Sequence, residues 1–458
     1  MAEQLLVPFR GPGSGVGCLS WGQKGIWQSI KREGQSITMG GVTPLPAGMT
    51  VDDAAAVLRF SVSRHESLRT RLRFDPDGSV QQVVSSSGVI PLEVLDAGTE
   101  DPEAVAGRVS QSYQTRDFDY VREWPLRMAV IRSGGVLTHA VAIYLHLYID
   151  ALGLQVLLAD LATMDPASGD APAPAAAMQP LEQARWQQTP SARRQCEGSL
   201  RHLERVLRTV PTRRFPGPVA DHPPRYPILT FRSPATRLAV RLISHRMSMD
   251  TSPVLLGLFG IALTRMTGSN PFVAMLAVSN RFRPGLAASV SAVAQLSPCM
   301  IDLADITLEE AMVRSRRAAV GAYLYAYYDP PQRMALISQI TEDRGEPVDT
   351  SCFFNDRRQQ RDLRDVAVPS GADIRAAAGI AGEFRCHDEA EEIHERLYLS
   401  VDDVEDAVVL KLSADNRYFS ADRVAELLGG IESVAVDTAL DPSASTGIRS
   451  ASSVVGRA

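Results

Sequence analysis

The sequence predicts a mixed α/β protein folded as two domains, and three observations carry that expectation. The chain has 458 residues, beyond the length at which one hydrophobic core usually keeps growing. Strand-like and helix-like stretches alternate along it. One stretch, Asp165 to Pro180 (DPASGDAPAPAAAMQP), is rich in Pro, Ala and Gly and is the one good linker candidate.

Taken in order, the Gly-rich opening from Gly11 to Gly17 neither follows a predicted strand nor reaches a GK[ST] sequence. It therefore reads as part of a flexible lead over residues 1–17 rather than as a phosphate loop. Ser20 to Trp27 opens a short helix, and apolar residues from Val51 to Val62 recur at helical spacing. Arg64 to Arg71 leads from that helix into a strand, Asp75-Pro76-Asp77-Gly78 has the composition of a turn, and Val80 to Val84 completes a hairpin. A helix over Pro102 to Thr115 follows, and Asp119 to Arg132 brings a strand beside a central one.

That central stretch, Val136 to Met164, organises the chain. Its β-branched and apolar first part suits a buried strand from Val136 to Tyr144. Its second part is a helix, with Leu154, Leu157, Leu158 and Leu161 at helical spacing and Asp150 where an N-cap acceptor is expected. Beyond the linker, helices are expected over Leu181 to Trp186, Arg194 to Val210 and Val254 to Met266, and a buried strand over Pro271 to Asn280. Helices over Leu308 to Tyr325 and Arg333 to Ile340 come next. Strands over Glu395 to Val401 and Ala407 to Ser413 precede a helix from Ala421 to Val436, and a loose tail covers 441–458.

Composition is that of an ordinary globular protein, 45% hydrophobic and 22% charged. A net charge of -6 argues against a general nucleic-acid binder. The cysteines, Cys18, Cys196, Cys299, Cys352 and Cys386, lie far apart with no CxxC pair, which fits reduced thiols in a cytosol. No signal peptide opens the chain, and its longest apolar run, about Val254 to Leu263, is too short to cross a bilayer. The segment His387 to His394 fits no zinc spacing and reads as a solvated acidic loop, so no metal is expected. The clusters Arg314, Arg316, Arg317 and Arg357, Arg358, Arg361 could meet an acidic protein or a phosphate, or be exposed charged faces.

The chemical candidate is His146. It stands at the end of a buried strand, four residues before Asp150, on a strand-to-helix turn. A neutral imidazole aimed into a cavity can take a proton from an amine or hydroxyl, or position that group, as it attacks an acyl carbonyl. A core histidine and a simple helix cap are the plain alternatives for the pair.

His146-Leu147-Tyr148-Ile149-Asp150 resembles the HHxxxDG signature of nonribosomal peptide synthetase condensation domains and related acyltransferases. Ser20 to Trp27 is similar to the family's SxAQxRLW, Arg64 to Thr70 to its RHExLRT, Trp186-Gln187 to the motif after the linker, and Val278 to Arg281 to its VANR. The resemblance implies two chloramphenicol acetyltransferase-like subdomains, 18–180 and 181–440, forming a V-shaped pseudo-dimer around a central tunnel. It implies a catalytic His146, a structural ion pair between Asp150 and Arg281, and channel positions at Leu145, Tyr148, Ala151 and Gly153. It further implies a free-standing cytoplasmic enzyme that binds no cofactor itself. The acyl donor would ride on the phosphopantetheine of a carrier protein in trans, or on coenzyme A, and the acceptor would be a small amine or alcohol, with no nucleic acid or membrane partner. Leu145 replaces the first His of the signature and Ala151 its Gly. Neighbouring strand residues face opposite ways, so a His146 turned to the tunnel puts Leu145 on the packed side. Ala151 narrows the space near the nucleophile and keeps open a docking module without activity.

Overall fold

The computed structural model describes residues 3–165, 171–173, 176–211, 214–215, 217–218, 225–358, 367–380, 382–387 and 395–450. The chain divides into two compact units: Met1–Glu197 with Ser279–Gln295 and Tyr327–Pro331, and Gly198–Val278 with Leu296–Ala326 and Gln332–Ala458.

In the first unit the elements run β1 (Glu3–Arg10), β2 (Gly15–Cys18), α1 (Trp21–Glu33), β3 (Thr38–Pro44), α2 (Val51–Arg64), β4 (Thr70–Phe74), β5 (Val80–Val84), β6 (Ser87–Asp96) and α3 (Pro102–Thr115). Then come β7 (Leu126–Ser133), β8 (Val136–Leu145), α4 (Ala151–Leu161) and α5 (Pro180–Gln187), and the division between units falls within α6 (Pro190–Leu207). One sheet has the order β1-β6-β7-β8-β3 and a smaller one β2-β5-β4. The period of two along β7 and β8 sends Met128, Val130, Ala140 and Tyr144 into a core shared with α2 and Leu157 of α4. Ala129, Ile131, Val141 and Ile143 point into a second core under α3. Both faces are covered, which is why β8 reads as a near-continuous apolar run.

The opening expected to be a flexible lead is instead built into both sheets. All eight residues of β1 pair with β6, and β2 pairs with β5. Val7 and Phe9, 1% and 4% exposed, supply the apolar anchors. The boundary expected near residue 180 is also displaced. α5 is tied back to the first unit, because Leu181 packs over Gly17 and Gln82 Nε2 donates to the Pro180 carbonyl at 3.2 Å.

The second unit holds β9 (Ile228–Ser233), α7 (Pro234–Met247), α8 (Thr251–Thr267), β10 (Phe272–Val278), β11 (Gln295–Ile301), α9 (Leu308–Leu324), α10 (Pro330–Arg344), β12 (Cys352–Asp356), α11 (Gly371–Ala378), β13 (Glu383–His387), β14 (Leu397–Asp403), β15 (Val408–Ala414) and α12 (Ala421–Leu440). Its strands form one sheet in the order β11-β10-β12-β14-β15-β9-β13. The apolar α8 is buried from Pro253 to Thr264 in this unit's core. Among the described residues no single helix is long and apolar enough to cross a membrane. The tail expected to be loose is docked as far as Ser450: Thr446 and Ile448 are buried, and Ile448 accepts from the Asp305 amide at 2.9 Å. Residues 451–458 lie outside the described residues. The mixed α/β class is the one the sequence predicts.

Candidate active site

β8 stops at Leu145, whose last ladder partner is Thr38 of β3. The His146 amide still donates to the Ile37 carbonyl at 2.9 Å, and the Tyr148 amide closes a turn on the Leu145 carbonyl at 3.0 Å. This turn leaves the imidazole half-buried, between the buried Leu145 and Leu147. His146 Nδ1 lies 2.8 Å from the Ile149 carbonyl oxygen. A carbonyl can only accept, so Nδ1 is the donor, and in the neutral ring it is Nε2 that presents the lone pair. Nε2 makes no hydrogen bond among the described residues.

Asp150 caps α4, its Oδ1 accepting the Gly153 amide at 2.7 Å. It is also paired. Arg281 Nη2 reaches Oδ1 at 2.8 Å and Nη1 reaches Oδ2 at 3.0 Å, while the amides of Val293 and Ala294 donate to Oδ2 at 2.8 and 3.0 Å. The cap and the ion pair, expected as rivals, are one structure. Asp150 is 4% exposed, and every partner of its carboxylate is a donor. Gly153 sits in a tight place here: a Cβ would come to 3.0 Å from Arg281 Nη2 and 3.1 Å from the Ser291 carbonyl, so these neighbours would have to give by a few tenths of an ångström.

The other motif residues hold this turn from behind. Arg64 grips Asp160 of α4 with two bonds of 2.8 Å, and His65 Nε2 lies 3.1 Å from the same carboxylate. Burial pushes the His65 pKa down against the pull of Asp160. Asp160 is lowered despite its own burial, through its bonds to Arg64 and His65. Arg69, fully buried, ties the Gly-rich opening down through the carbonyls of Pro12, Gly13 and Ser85. Ser20 and Gln23 form a capping box at α1, and the Gln187 side chain joins the Trp21 amide to the Tyr327 hydroxyl at 2.8 and 2.7 Å. None of these contacts makes a chemical group available; they fix backbone.

Of the channel positions, Ala151 is exposed, but Leu145, Tyr148 and Gly153 are buried inside the unit. Leu145 and Tyr148, 2% and 1% exposed, pack with Leu19, Ile30, Leu72, Phe118 and Leu147, because the turn sends them under α1. Among the described residues the Tyr148 hydroxyl has no hydrogen-bond partner, and burial pushes its pKa up. The arginine clusters are partly committed elsewhere: Arg314 pairs with Glu310, Arg357 with Asp402 and Arg358 with Asp356, whereas Arg316 and Arg317 are exposed. Arg361 and residues 388–394 lie outside the described residues. Among the described residues no cluster of His, Cys, Asp or Glu could hold a metal, and no disulfide joins the cysteines. Sequence reasoning missed Gln183, Ser289 and Ser291, since ordinary polar residues far apart in the chain carry no local signal.

The family model described as Condensation domain matches residues 14–445. The chain belongs to the condensation domain family. No curated protein matches it. Solved condensation-type structures share its fold. The X-domain of teicoplanin biosynthesis, in its complex with OxyB, is 20% identical with a TM-score of 0.71, covering 94% of each chain. The condensation domain of the Monacolin K polyketide synthase MokA is 17% identical with a TM-score of 0.71, over 95% of this chain and 100% of that one. A condensation domain that mediates chain release from the enacyloxin polyketide synthase is 19% identical with a TM-score of 0.70, over 94% and 83%. At such identities the likeness is one of fold.

Proposed function

We propose that the protein makes an amide or ester bond by moving an acyl group from a carrier-protein phosphopantetheine thioester to an amine or alcohol, in the assembly of a nonribosomal peptide or other specialised metabolite. The nucleophile adds to the thioester carbonyl, the C–S bond breaks, and the thiol leaves with a proton. The proton given up by the nucleophile is taken by His146 Nε2 and handed to the departing thiolate, so the ring ends the step neutral. The observation that carries this reading is the Nδ1–H···O=C bond to Ile149, which leaves Nε2 as a lone-pair acceptor on a half-buried ring. Leu145 does not speak against it, since its side chain is buried in the apolar cluster with Leu19, Ile30 and Leu72.

A second reading is favoured by Ala151 and by the likeness to an X-domain solved in complex with OxyB: a docking module without acyl transfer. A third, with the same fold, uses acyl-coenzyme A. Incubation with acyl-carrier and acyl-coenzyme A donors and a set of amines and alcohols separates them. Transfer from the carrier alone supports the proposal, transfer from coenzyme A alone selects the third reading, and none from either selects docking. In the proposed case His146→Ala lowers turnover by about 10²-fold or more in a folded protein. Near-normal turnover in that variant overturns the role of His146.

A further inference from the structure

One layer behind Asp150 lies a buried polar group with no part in the chemistry so far. Gln183 of α5, Ser289 and Ser291 are each 1% exposed. Gln183 Nε2 is 2.9 Å from Ser289 Oγ, 2.8 Å from Ser291 Oγ and 3.1 Å from the Met178 carbonyl. The two hydroxyls are 2.7 Å apart, and Ser289 Oγ lies 2.9 Å from the same Met178 carbonyl. The main chain of these two serines is engaged as well. Arg281 Nη2, besides meeting Asp150, donates to the Ser289 and Ser291 carbonyls at 3.0 and 3.1 Å. Two residues on, the Val293 and Ala294 amides sit on Asp150. The segment from Ser289 to Ala294 is therefore held by its hydroxyls through Gln183, by its carbonyls through Arg281 and by its amides through Asp150.

Buried polar networks of this kind stabilise no better than apolar packing of the same volume, but their mutual hydrogen bonds restrain the groups they join. We infer that Gln183, Ser289 and Ser291 are positioning residues for His146. They fix the two carbonyls that orient Arg281, and Arg281 fixes Asp150. Asp150 in turn sets the start of α4 and the preceding Ile149 carbonyl, on which the His146 ring is hung. The inference rests on the reading of His146 as the acting group.

The test uses the full chain and two readouts. With ¹⁵N-labelled histidine, the His146 ring signals are identified by their loss in His146→Ala. In the wild type the Nδ1-protonated tautomer keeps the two ring nitrogens well separated. Gln183→Met keeps the volume and removes the donor. It moves the two signals toward the average of both tautomers and, where transfer is measurable, lowers kcat by about 10- to 100-fold with little change in the KM of the acyl donor. Ser291→Ala gives a smaller change of the same sign, and it carries the test if Gln183→Met fails to fold. An unaltered tautomer in a folded variant overturns the inference, even if its melting temperature falls. Should the wild type transfer no acyl group, the functional proposal fails, and the tautomer measurement still decides the role of the network.

Discussion

Arg281 meets Asp150 with both terminal nitrogens, Nη2 on Oδ1 at 2.8 Å and Nη1 on Oδ2 at 3.0 Å, with side chains only 9% and 5% exposed. Removing one member leaves the other charged and buried, at a cost of about 3–5 kcal/mol. Asp150→Ala and Arg281→Ala are each expected to lower the melting temperature strongly or to give insoluble protein. The double variant is expected to lose less than the sum of the two, because the residues share one interaction. Urea or thermal melts of the three proteins check this, and additive small shifts would contradict it.

The extent to which this arrangement was legible in the sequence depended on how local each signal was. β8, the turn and α4 are legible because apolar periodicity and an N-cap Asp are contiguous features. α3 matched its expected bounds, Pro102 to Thr115, for the same reason. β1 and β2 were missed. Their meaning comes from pairing with β6 and β5, some 65 to 90 residues away in the sequence, and Gly and Pro nearby suggested looseness. The burial of Tyr148 is not legible, because a signature fixes the His and the Asp but says nothing of where the residues between them point. The Asp150–Arg281 pair came from a family resemblance. Its partners Val293 and Ala294 give backbone amides, which no side-chain pattern reveals.

Leu145 occupies the position of the signature's first His, yet it is 2% exposed among Leu19, Ile30, Leu72 and Tyr148. Restoring the histidine buries an imidazole without a partner, which costs about 1–3 kcal/mol. Leu145→His is therefore expected to lower stability and to leave turnover no higher than wild type. A clear gain in turnover would show that this side chain reaches the reacting groups.

The Tyr148 ring fills space under α1, but its hydroxyl is buried without a hydrogen bond among the described residues. Removing only the oxygen keeps the packing and relieves the desolvation of an unsatisfied group. Tyr148→Phe is expected to be neutral or up to about 1 kcal/mol more stable, whereas Tyr148→Ala, which empties the ring's volume, costs about 3–5 kcal/mol. Chemical denaturation of both variants measures the pair. A destabilised Tyr148→Phe would mean that the hydroxyl has a partner in solution.

His65 links the strength of the α2–α4 contact to pH. Its ring is buried against Asp160 of α4, with Arg64 and Arg69 as the nearby cations, and burial sets its pKa below the usual 6.5. In the folded protein it is thus neutral at a pH where the unfolded chain has begun to take up a proton. The unfolded state binds more protons as pH falls through 6.5, so stability is fully present above that value and declines below it. Asp160, also lowered, acts only below the usual carboxylate value of 3.8, outside this window. His202 is lowered too and contributes its own slope, so the variant comparison is what isolates His65. Urea melts between about pH 7.5 and about pH 5.5 are expected to show falling stability for the wild type and a shallower fall for His65→Gln, which keeps a donor for Asp160 but cannot titrate. Equal slopes for the two proteins would show that His65 takes up its proton alike in the folded and unfolded states.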